Sequence, residues 1–259
     1  MFEGYSPETV DFLWGIRLNN NREWFLAHKS DYVNYLYEPT KALGKDLFQL
    51  VADMPGTLVK VSRIYRDARM HHPLPYKESL WICVRQDVEW WAENPCLYFE
   101  INPDRIHYGF FYWRIRPAVM EKIRQDMAAN PDKFLKMIKK VEKATGKKIT
   151  AEETYKRPKP TDNKKLEPYF AWKGQIGCVV EEQFSPDTFG PELGQRVQKL
   201  FNQLMPCISI SANLPFDLCT DRNVSENLFC KNLQRLDLLS GFCTESCISV
   251  CFVSLRRYT

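Results

Sequence analysis

The sequence predicts an α+β fold, a mainly antiparallel sheet covered by N- and C-terminal helices. Three observations carry this. Helical periodicity occupies the first fifty or so residues, strand-like runs then follow one another, and helical periodicity returns after Pro117. Grouped helices and grouped strands favour α+β over a doubly wound fold. Strand runs with little helical pattern between them favour antiparallel neighbours. At 259 residues and 44% hydrophobic content the chain can bury a full core without disulfide staples.

The elements follow in order. "SPETVDFLWGI" opens with Ser6 as N-cap, Pro7 at the first helical position and Glu8 in the first turn. "NNN" at 19–21 breaks that helix, and Asn20 or Asn21 caps the next. The second helix carries Trp24, Phe25, His28, Tyr32, Tyr35 and Leu36, and Pro39 ends or kinks it. Leu43, Leu47 and Leu50 resume the period until "MPG". "TLVKVSRIYR", "SLWICVRQ", "CLYFEIN" and "RIHYGFFYWRI" then read as strands. Pro117 opens a helix, "DKFLKMIKKVEKATG" forms another with Gly146 at its end, "GQIGCVVEEQF" adds a strand, and an amphipathic helix follows up to "LMP".

Residues 1–206 are expected to form a single α+β domain. The 207–259 segment holds six of the nine cysteines and no clean period. It reads as a frame-shifted or non-native ending, with a subdomain of buried thiols as the competing reading. No export signal or long apolar run is visible, so a cytoplasmic location and reduced thiols are expected, with no membrane partner. The sequence names no cofactor: it contains no Gly-rich phosphate loop, G-x-S-x-G elbow or HExxH. His71 and His72 with Asp67 lack a third ligand at metal spacing, and Cys83 sits in an apolar strand run. Whether the chain is an enzyme, and its oligomeric state, stay open.

Two segments concentrate charge. In "RIYRDARMHHPLPYKESLW", extension places Arg63, Tyr65, Asp67 and Arg69 on one side. The prolines hold Tyr76 and Lys77 at a fixed distance from the arginines. A site of Arg63, Arg66, Asp67, Arg69, Tyr76 and Lys77 suits phosphate or carboxylate oxygens. The competing reading is a salt-bridge lattice that pins a loop to the sheet. The second segment, 133–165, holds twelve Lys or Arg against four Asp or Glu. It offers a surface for nucleic acid or an acidic partner, and its helix also reads as an ordinary solvated face.

These motifs resemble an uncharacterised, mostly bacterial family, the domain of unknown function 2461. Its Asn-Asn-x-x-Trp-Phe-x-x-x-Lys-x-x-Tyr pattern falls on Asn20, Asn21, Trp24, Phe25, Lys29 and Tyr32. Its Arg-Ile-x-Arg-Asp-x-Arg and Pro-Tyr-Lys patterns fall on Arg63, Ile64, Arg66, Asp67, Arg69, Pro75, Tyr76 and Lys77. The resemblance covers residues 5 to about 206. It departs at Met70–Leu74, where the family often has Phe-Ser-Lys-Asp-Lys, and in the Cys-rich tail. The family supplies no activity. The resemblance implies that Asn20 and Asn21 meet the charged loop in space, where a helix N-terminus would favour an anion.

Overall fold

The structure, a computed structural model, describes residues 1–67, 69, 73–88 and 91–209. The paired His71 and His72 lie outside the described residues, as does the Cys-rich segment from 210 onward.

Helix α1 (Pro7–Leu18) starts where the Ser6–Pro7 signal places it, with the Ser6 amide donating to Thr9 Oγ1 at 3.1 Å. Helix α2 (Arg22–Ala27) and the single turn α3 (Lys29–Asp31) lead into a π-helical segment, Tyr32–Tyr37, and then α4 (Glu38–Phe48). Pro39 does not end the helix. Its ring would collide with the carbonyl of Tyr35, four residues back, and it has no N–H to offer. The chain widens by one residue instead: the Glu38 amide donates to Val33 O. The displaced Tyr35 carbonyl accepts from Thr9 Oγ1 at 2.6 Å. Thr9 of α1 thus completes a hydrogen bond that Pro39 removed.

Strands β1 (Thr57–Val61), β2 (Leu80–Gln86), β3 (Cys96–Ile101) and β4 (Ile106–Tyr112) form an antiparallel meander. Helices α5 (Pro117–Ala129) and α6 (Pro131–Thr145) follow, and Gly146 closes α6 at φ +66°, a left-handed turn that suits glycine. Then come β5 (Thr150–Thr154), α7 (Glu167–Phe170), β6 (Trp172–Glu182), α8 (Pro186–Phe189) and α9 (Glu192–Leu204). The order across the six-stranded sheet is β1-β2-β3-β4-β6-β5. β5 has no sequence signature. "TAEET" is polar and mostly exposed, and its backbone pairing with β6 makes it a strand.

Alternation sorts each central strand into two faces. Leu80, Ile82 and Val84, Leu97, Phe99 and Ile101, and Ile106, Tyr108 and Phe110 join the main core with α1, α4, α5, α6 and α9. Full burial of each such side chain contributes about 1.5–3 kcal/mol. The core runs past the "LMP" turn: Cys207 and Ile208 are buried in it. On the opposite face Trp81, Cys83, Cys96, Tyr98 and Trp113 form a second, smaller cluster. Among the described residues no helix is long and apolar enough to cross a membrane.

Candidate functional site

After β1 the chain runs back beside the approach to β2 as a ragged ladder. Ser62 N donates to Trp81 O, Arg66 N to Pro75 O and Lys77 N to Ile64 O, and Tyr65 bridges Tyr76. This extended geometry sends Tyr76 and Lys77 to opposite sides. Tyr76 stacks on Phe25 of α2 with ring centroids 4.2 Å apart. Lys77 Nζ donates to Arg63 O at 2.8 Å and lies 5.9 Å from the Trp81 ring centre, on the second face of the sheet. The two residues therefore do not line one pocket together.

The asparagine pair does meet the loop, and each amide is already engaged. Asn20 Nδ2 donates to Tyr76 O at 2.9 Å, and Tyr76 N donates to Asn20 Oδ1 at 3.0 Å. The side chain copies a β-bridge and staples the loop to the α1–α2 junction. Asn21 Oδ1 accepts from Trp24 N at 2.9 Å and caps α2.

Two arginines of the motif are matched by acids. Arg69 forms a two-pronged pair with Asp67, at 3.0 and 2.6 Å, while its side chain stays 82% exposed. Arg66 approaches Glu78 at 3.9 Å, and Glu78 also accepts from Arg17 Nε at 2.7 Å. Arg17 reaches on to Asp104 with two bonds of 2.9 and 3.0 Å. Arg66, Glu78, Arg17 and Asp104 form a continuous lattice between α1, the loop and the β3–β4 turn. Arg63 differs: it is exposed, and its guanidinium enters no ion pair among the described residues.

Beside Arg63 stands an aromatic cluster that sequence reasoning did not assemble. Phe25 lies 5.6 Å from Tyr32, 5.7 Å from Tyr65 and against Tyr76, and Tyr65 lies 5.6 Å from Tyr76. Tyr32 and Tyr37 are five residues apart, which an α-helix would place on different faces. The wide π-turn brings their rings to 5.6 Å. Burial pushes the Tyr32 phenol up, with the Ile64 amide and Arg63 acting against that rise. Burial also raises Tyr76, and Arg22 acts against it. Tyr76 is only 5% exposed, and its hydroxyl makes no hydrogen bond among the described residues and is not sealed from solvent. Two cations and an uncommitted, solvent-reachable phenol hydroxyl at one edge of the fold suit anionic oxygens. Only Pro39 signals this geometry in the sequence, through the turn it forces.

A second polar cluster lies on the other face of the sheet. Glu100 and His107 face each other across β3 and β4 and are both buried. Glu100 Oε2 accepts from the Tyr98 hydroxyl and contacts His107 Nε2 at 2.7 Å. Burial, reinforced by Glu100, drives the Tyr98 phenol well above its ordinary range. A polar residue, Glu100 or His107, inside each of two apolar strands joined by a short turn was the available signal. Among the described residues no three His, Cys, Asp or Glu side chains gather to hold a metal ion.

The sequence model of a family described as a conserved hypothetical protein, DUF2461, matches residues 8–209. No curated protein matches the chain. With the match spanning most of the chain, and both asparagines and the Arg-Ile-x-Arg-Asp-x-Arg segment inside it, the chain belongs to the DUF2461 family.

Proposed function

We propose that the chain binds an anionic small molecule, a phosphate or a carboxylate, at the edge formed by Arg63, Tyr76, Tyr65, Tyr32 and Arg22. Arg63 supplies the guanidinium, and the phenol of Tyr76 donates a hydrogen bond. Lys77, Arg66, Asp67, Arg69, Asn20 and Asn21 act as the frame that holds this edge in place. The observation that carries the reading is the juxtaposition of Arg63, exposed and in no ion pair among the described residues, with a Tyr76 hydroxyl that makes no hydrogen bond among them and is not sealed from solvent.

The test is a thermal-shift screen with inorganic phosphate, pyrophosphate, citrate and nucleoside monophosphates. A probe at ten times its Kd stabilises by about 1.4 kcal/mol, which raises Tm by about 3–6 °C for a domain of this size. The shift should vanish in Arg63→Ala and shrink in Tyr76→Phe. A screen without any shift, or a shift that both variants retain, overturns the reading.

A second reading, a non-enzymatic protein that presents its 133–165 surface to a polyanion, is favoured by one observation. Every cation of that run except Lys133 is exposed, and none of the exposed ones enters an ion pair among the described residues.

A further inference from the structure

Helix α6 buries Phe134, Ile138 and Val141. At 100° per residue, Lys136, Lys139, Lys140 and Lys143 occupy the opposite side, and all four are exposed. Ordinary solvated helix faces mix signs. Here no acid lies between Lys133 and Val141. Asp132, four residues before Lys136, lies on the same side at the N-terminal end of the row and enters no ion pair among the described residues, and Glu142 is turned away: its Oε1 accepts from Ile149 N at 3.4 Å. Lys136–Lys139, Lys136–Lys140, Lys139–Lys143 and Lys140–Lys143 are like-charge neighbours, each destabilising by about 0.2–0.5 kcal/mol. A helix that keeps four such repulsions is suited to a counter-charge from outside.

Resting on the second reading above, we propose that this counter-charge is the phosphate backbone of double-helical nucleic acid, gripped without base readout. Three features separate this partner from the other polyanions. An interface with another protein has an apolar or aromatic centre, and among the described residues no large apolar side chain is exposed between 131 and 165. Single-strand binders stack bases on free rings. Tyr155 is the one aromatic residue of the loop after β5, and Arg124 and Lys159 lie 5.7 and 5.2 Å from its ring centre. A duplex presents one negative charge per about 1.7 Å of axis, so a row of lysines along about 10 Å of helix meets several phosphates at once. Exposed Lys156, Arg157, Lys164 and Lys165 follow in the chain and offer further cations to a polyanion.

The test is fluorescence anisotropy of the full chain with a mixed-sequence duplex of about 20 base pairs, a single strand of the same length, and poly-glutamate. The duplex should bind most tightly, with log affinity falling against log salt at a slope of about −4 to −7. The triple variant Lys136→Glu, Lys140→Glu, Lys143→Glu should bind at least about tenfold more weakly, with the slope reduced in size by about 3. A matching Lys→Gln triple variant with an unchanged Tm guards against loss of fold and should show a smaller loss. Poly-glutamate or the single strand binding as tightly as the duplex, with the same loss in the variants, overturns the duplex and leaves the polyanion surface standing. No binding of any of the three at low salt overturns both.

Discussion

The loop between β1 and β2 and the helix α6 carry the same sequence cue, dense positive charge, and resolve it in opposite ways. In the loop, Arg66 and Arg69 meet Glu78 and Asp67, and Lys77 meets the Arg63 carbonyl. Both asparagines that mark the family motif are spent on backbone groups. On α6 the exposed lysines enter no ion pair among the described residues. Charge density along a chain therefore does not locate a site. What matters is which charges the fold leaves without an ion pair among the described residues: in the loop that is Arg63, and on α6 it is the row Lys136, Lys139, Lys140 and Lys143.

The comparison is tested most severely at Asn20. Asn20→Ala removes the acceptor of Tyr76 N and the donor to Tyr76 O, and should cost about 2–4 kcal/mol, read as a Tm lower by about 6–12 °C. A loss below about 0.5 kcal/mol, the range of ordinary surface changes, would mean that the staple is not structural. Arg17→Ala comes next. It strands Glu78 and Asp104 at a partly exposed lattice and should cost about 1 kcal/mol, measured by denaturant melts.

A smaller effect appears in alkali. The Tyr76 phenol is held above its ordinary value of 10.0 by burial. A raised folded value contributes stability that is complete below pH 10 and is lost as the pH rises through the raised value. Tyr76→Phe should therefore lose less Tm than the native chain when the pH climbs from about 9 to about 11. An identical alkaline loss would remove Tyr76 from the set of perturbed groups. The smallest effect belongs to α6. Lys140→Gln removes two repulsions and should raise stability by about 0.4–1 kcal/mol, whereas replacing a matched cation lowers it. A fall in Tm would show that Lys140 already has a structural partner.

Much of the fold was legible because its signals are local. Ser6–Pro7 and Gly146 mark helix ends through backbone chemistry, and alternation marks β2, β3 and β4 through burial on one face. β5 was not legible, because an exposed polar strand is defined by its partner β6 and not by its own residues. The π-turn was hidden because Pro39 is read as a helix stop unless Thr9, thirty residues earlier, takes up the freed carbonyl. The candidate site was legible in Arg63 and Tyr76 and not in Tyr32, Tyr65 or Arg22, which reach it from separate elements. Grouping Tyr76 with Lys77 failed on strand geometry: consecutive residues of an extended chain point apart.

The account turns on which arginine of the motif is uncommitted. Melting curves with pyrophosphate and citrate, run on Arg63→Ala and Arg69→Ala beside the native chain, test this directly. The account predicts that Arg69→Ala keeps the ligand-induced rise in Tm, because its guanidinium is already matched by Asp67, and that Arg63→Ala abolishes it. A rise lost in Arg69→Ala and retained in Arg63→Ala would contradict it.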